Sequence, residues 1–184
     1  MSNYLPEGLL SQTTENIQAL KNITSLQEAM NSKKILEARA IICDSEHNLI
    51  VDLGCMKGII PTRDIAIISK VNKPVCFRIL KLSQNPSGTP VAILSRRAVQ
   101  EDCRKEYIEK LRPGDIIPAR VTHLEPFGCF VDIGCGVISL IPIDAISVSR
   151  ISHPRDRFRV GQDIYAVVKG MDENQKICLS HKEL

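Results

Sequence analysis

One stretch of this sequence occurs twice. LIVDLGCMKGIIPTRD, beginning at Leu49, lines up with CFVDIGCGVISLIPID, beginning at Cys129, with one residue less between Cys55 and Pro61 than between Cys135 and Pro142. The match extends outward: EARAII lines up with PARVTH upstream, and VAILSRR with KICLSHK downstream. A repeat of this length means two units that fold alike. ILEARAIIC, LIVDLG, GIIPTRD, VCFRILKL and VAILS in the first copy read as strands separated by turns such as DSEHN and SQNPSGTP. DIIPARVTHL, CFVDIG, VISLIPI, DIYAVVKGM and ICLS repeat the pattern, with turns at EPFG and DENQK. Hydrophobic residues make up 43% of the chain, but aromatics only 4% with no Trp, so the cores fall to Ile, Val and Leu, which favour strands. About five strands per unit suffice to close a small barrel without exposed edges, an open five-stranded sheet being the competing shape.

The rest of the chain frames the two units. Residues 1–34 are expected to form a loosely packed arm ending in a short helix, TSLQEAMNSKK, with Ser25 and Glu28 at capping-box spacing. Residues 35–95 are the first module. Residues 96–112, RRAVQEDCRKEYIEKLR, are strongly charged, with Glu101–Lys105 and Glu106–Lys110 four apart, and predict a solvated linker helix. Residues 113–184 are the second module.

Composition excludes several roles. The seven Cys are scattered as singles without a C-x-x-C, so neither a zinc site nor a disulfide framework is expected. Nothing approaches the roughly 18 apolar residues of a membrane span, and the N-terminus lacks a basic head with an apolar run. A reducing cytoplasm suits these cysteines, acting as small hydrophobes. Asp52, Asp64, Asp132 and Asp144 recur at matching places, but nothing clusters them as a nuclease metal site requires. No phosphate loop or nucleophile elbow is present. No enzymatic activity, metal or cofactor is expected.

Two features point to a ligand. Phe127 and Phe130 flank Gly128, so two of only four Phe lie in one turn. Strand parity sends Val131 and Ile133 inward with Cys129, and Phe130 and Asp132 outward. A bend at Gly128 would bring both rings to one side, where exposed rings make a stacking platform for bases. Alternatively one ring is core and the other caps the barrel. The second feature is SRISHPRDRFR, with Arg150, His153, Arg155, Arg157 and Arg159 against one acid, Asp156. Residues 112–184 carry nine basic and nine acidic residues, so this loop concentrates the positive charge. The net charge of the whole chain, +3, does not itself select a partner.

LRPGDIIPARVTHLEPFGCFVDIG, GVISLIPI and RISHPRDRFRVGQDIYAVVKGMDENQKICLSHKEL together resemble the S1-type RNA-binding domain, the unit repeated in the bacterial small-subunit ribosomal protein S1. The resemblance is strong over 111–184 and weaker over 35–97. It implies an all-β protein: two tandem five-stranded antiparallel OB-fold barrels, joined by a helical linker and preceded by a short helix. It places Phe127 and Phe130 at the family's two binding rings and Lys176 at its basic position opening the last strand. Pro142 stands where the family usually has His. Arg120 and His123 join the candidate RNA contacts, with Arg150, His153, Arg155, Arg157 and Arg159. In the first module His47 and Ile50 replace the rings and Pro61 matches Pro142, which leaves His47 and Arg39 as candidate weak contacts.

The function expected from this resemblance is non-catalytic binding of single-stranded RNA, such as messenger RNA, in translation or at the ribosome. Single-stranded DNA stays open as a ligand, since stacking does not read the 2′-hydroxyl. The alternatives are a module that docks on the ribosome or a polymerase, or the accessory RNA-binding part of a larger RNA-processing enzyme.

Overall fold

Short β-branched runs between polar turns bury their edges by curling until the edges meet. The computed structural model, which describes residues 4–61 and 71–184, contains two five-stranded sheets, the first of them closed into a barrel. They belong to separate compact units, residues 7–101 and residues 102–184 with the segment before Glu7.

In the first unit β1 (Leu36–Cys43), β2 (Leu49–Asp52), β3 (Lys57–Ile60), β4 (Pro74–Gln84) and β5 (Pro90–Ser95) form a closed barrel in the order β1-β2-β3-β5-β4. This is the OB arrangement. The β3–β5 pair is parallel, Lys57 facing Val91, and departs from the antiparallel pattern expected throughout. An odd number of strands makes this necessary, because direction cannot alternate all the way round a ring of five. Leu36, Leu49, Val51, Ile60, Phe77 and Leu94 fill the core. Asp64 lies outside the described residues.

After helix α3 (Arg96–Glu106), the second unit repeats the plan with β6 (Ile116–Glu125), β7 (Gly128–Asp132), β8 (Ile138–Pro142), β9 (Asp163–Met171) and β10 (Ile177–Ser180), in the order β10-β9-β6-β7-β8. Here the last seam carries no backbone ladder. Where β3 has Gly58, β8 has Ser139, whose hydroxyl donates to the Ile177 carbonyl at 3.2 Å. At Gly58 a Cβ would meet Leu94 Cδ1 at 2.4 Å, so the glycine leaves the room that lets β3 approach β5.

Three hairpins share one turn chemistry. The side chains of Asp44, Asn85 and Asp172 each accept backbone N–H groups two and four residues on. Each turn also places one residue in the left-handed region: His47, Gly88 and Gln175. Short Asx side chains suit this role because they mimic a backbone turn.

Three expectations outside the barrels are corrected. The arm is not loose within the first unit. It carries helix α1 (Thr14–Ala19), and Asn16 is buried with its amide bridging both backbone groups of Glu37 at 2.9 Å. Glu7 is buried and accepts from Arg96 at 2.6 and 3.0 Å and from the Cys76 N–H at 2.8 Å. Helix α2 (Ile23–Asn31) is capped by Asn22, with Ser25 as its reciprocal partner rather than as the cap itself. The linker helix is not wholly solvated: Arg96, Val99, Gln100 and Cys103 are buried on one face. Glu101 pairs with Arg97 instead of Lys105, while Glu106 pairs with Lys110 at 2.9 Å.

Candidate nucleic-acid interface

The site grows from an irregularity in β6. Val121 faces Val131, but the next pair is His123 with Phe130, so Thr122 is an extra residue. Its hydroxyl donates to the Phe130 carbonyl at 3.2 Å. An extra residue reverses parity and bends the strand. His123 and Phe130 thereby come to one side, their rings 6.1 Å apart and tilted by 32°. Phe127, in the turn, meets Phe130 edge-on at 6.0 Å. Gly128 permits close packing rather than supplying the bulge: a Cβ there would stand 2.6 Å from the Ile141 carbonyl oxygen.

Phe127 is 56% exposed and Phe130 half-buried. Asp132, expected to point outward, is buried because its carboxylate accepts the N–H groups of Gly134 and Gly136 at 2.9 and 3.1 Å. The buried thiol of Cys129 behind Phe130 is pushed up to about 12 by desolvation, so it stays protonated and inert.

Phe130 lines a groove of about 760 Å³ with Leu140, Pro142, Gln175, Lys176 and Arg104. Asp172 and Glu109 also reach it, and Asp172 already accepts the N–H groups of Asn174 and Lys176. Two cations against two acids leave this groove with no net side-chain charge. Arg104, Leu140 and Gln175 escaped the sequence reading. The left-handed Gln175 in the DENQK turn was the one local signal.

The other candidates lie elsewhere in the second unit. Arg120 is engaged by Asp163, at 2.7 and 3.1 Å, which neutralises it. His153 caps a turn by accepting the Arg155 N–H at 3.1 Å. Arg155, Arg157 and Arg159 share one groove with Phe158 and Gln162, and Arg150 lines another with Asp156. None of these residues lines the Phe130 groove.

The first unit repeats the bulge without the rings. Ala40 faces Val51 and Ile42 faces Ile50, so the counterpart of His123–Phe130 is Ile42–Ile50, with Ile42 57% exposed. His47 sits in the β1–β2 turn, and Arg39 donates to the Asn72 carbonyl at 3.3 Å. Among the described residues no three His, Cys, Asp or Glu side chains are placed to hold a metal ion.

Comparison with known proteins gives matching results. A family model described as S1 RNA binding domain matches residues 110–182. Small ribosomal subunit protein bS1 of Staphylococcus aureus (strain COL) is 30% identical over 185 residues, and bS1 of Staphylococcus haemolyticus is 31% identical. Each alignment covers 96% of this chain and 46% of the relative, so the chain spans about half the length of these relatives. Among solved structures, GSP13 from Bacillus subtilis is 24% identical, over 40% of this chain and 58% of that one, with a TM-score of 0.37.

Proposed function

We propose, for a chain whose residues 110–182 match the S1 RNA binding domain model, that the second barrel holds single-stranded RNA by stacking bases on Phe127 and Phe130, with His123 as a third ring. The observation that carries this is the exposure of Phe127 beside Phe130 and His123, on a turn that packing against β8 holds in place. An exposed ring in a chain this poor in aromatics gains nothing by burial, and every base offers it a π-face. Lys176 and Arg104 serve the phosphates from the groove that Phe130 lines. Because acids share that groove, stacking supplies most of the grip.

The similarity to bS1 supports a place in translation, with messenger RNA as substrate, the ribosome as partner and the cytoplasm as location. Single-stranded DNA stacks on the same rings. We read residues 35–95 as a divergent S1-like module. Its exposed Ile42, standing where the second barrel has a ring, suits a protein contact better than a nucleotide.

Replacing both rings, Phe127→Ala with Phe130→Ala, should weaken binding of short unstructured RNA by about 2 kcal/mol or more, at roughly 1–3 kcal/mol per stacked base. Fluorescence anisotropy on the folded double variant reads this directly. Unchanged affinity would refute stacking at this face.

A further inference from the structure

Arg155, Arg157 and Arg159 have no place in the Phe130 groove, yet they are not scattered. Arg157, Phe158 and Gln162 line both the groove of Arg155 and Arg159 and a larger neighbouring one of about 890 Å³. The larger groove adds Tyr165, His181 and Lys182. The two are therefore one continuous surface, and none of its residues lines the Phe130 groove.

Its charge is lopsided once the ion pairs are counted. Asp163 is taken by Arg120, and Glu183, which follows Lys182, is taken by Lys169 at 2.6 Å. Arg157 donates to the neutral Ser147 hydroxyl at 2.8 Å. Among the described residues, Arg155, Arg157, Arg159 and Lys182 form no ion pair, and Asp156 is the remaining acidic side chain lining the surface. Tyr165, on the outer face of β9, is 62% exposed. Its backbone is held by its carbonyl, which lies 2.8 Å from His181 Nδ1, and His181 itself rests edge-on against buried Phe158 at 4.9 Å. Four cations facing one acidic side chain, on a surface that also carries an exposed ring, match a polyanion that carries flat groups, which is single-stranded nucleic acid.

We infer that this Arg157–Tyr165–Lys182 surface is a second RNA contact, which takes the sugar–phosphate backbone and one base of a strand extending past the Phe groove. It presupposes that the barrel binds RNA at Phe127 and Phe130, and it adds that a long strand is held at two separate faces.

Strand length separates the two. Titrations of the full chain would use unstructured RNAs of about 5 and about 20 nucleotides, near the lower end of and above the roughly 4–16 nucleotides that one such barrel spans. Combining Arg155→Gln, Arg157→Gln and Lys182→Gln should weaken the long RNA about tenfold and leave the short one within about twofold, while the salt slope for the long RNA falls by roughly 2, at about 0.7 per lost contact. Tyr165→Leu, which keeps the apolar bulk, should weaken only the long RNA. If the triple variant binds the long RNA like wild type while the Phe variant fails, the second surface is overturned and the Phe face stands. Equal loss for both lengths would overturn the separation, placing these cations at the Phe face. Wild-type protein that binds neither RNA would overturn both.

Discussion

Single side chains here are held mainly by short polar contacts with backbone or with one opposite charge. Glu183 shows how such a contact sets a titration. The Lys169 ammonium and the Ser180 hydroxyl both bond its carboxylate and hold it at about 2, well below the usual carboxylate range. The folded value is depressed, so this carboxylate favours the folded state above the ordinary glutamate value and loses that effect as pH falls toward about 2. In a ¹³C titration the Glu183 carboxyl should therefore stay ionised at about pH 3, and Lys169→Met should move its midpoint up toward the ordinary value of about 4.3. The local geometry explains why some residues were legible and others were not. Phe127 and Phe130 stand out in an aromatic-poor sequence. Arg120 reads as an available cation until its partner Asp163, far along the chain, is seen to neutralise it.

At the scale of strands and turns, the site depends on how closely β7 approaches β8. Gly128 faces Pro142, and any side chain would press on backbone: the Ile141 oxygen at 2.6 Å and the Pro142 Cα at 3.2 Å. Gly128→Ala should cost about 1–3 kcal/mol, the usual range for overpacking, read as a lower urea midpoint. It should weaken RNA binding too, because Phe127 is the adjoining residue. Hairpin turns and strand runs were legible at this scale, since DSEHN, NPSGT and DENQK carry their own hydrogen-bonding chemistry. The bulge at Thr122 was not, since the sequence points to Gly128 for the bend. A bulge is a property of two paired strands, and neither strand's spacing reveals it alone.

In the whole molecule, each compact unit buries its own core, and the first also buries an ion pair. Glu7 and Arg96 are both nearly inaccessible, and Glu37 is buried with them. Glu7→Ala leaves the Arg96 guanidinium in that interior without this carboxylate, which should cost about 3–5 kcal/mol. Because residues 102–184 have a separate core, the loss should fall on residues 7–101 alone. Hydrogen exchange resolved along the chain would then show faster opening of β1, β4 and β5 with β6 to β9 unchanged. Equal acceleration in both would mean that the two units unfold as one.

Two five-stranded barrels, their turns and the Phe pair were written in local spacing, because alternation, Asx turns and glycine positions act over a few residues. The buried arm, the bulge that brings His123 to Phe130, the neutralised Arg120 and the separation of the arginine loop from the rings were decided only by the tertiary structure. The bulge depends on how two strands pair and the others on partners tens of residues apart, and a polar side chain looks the same in sequence whether it faces water or a buried opposite charge.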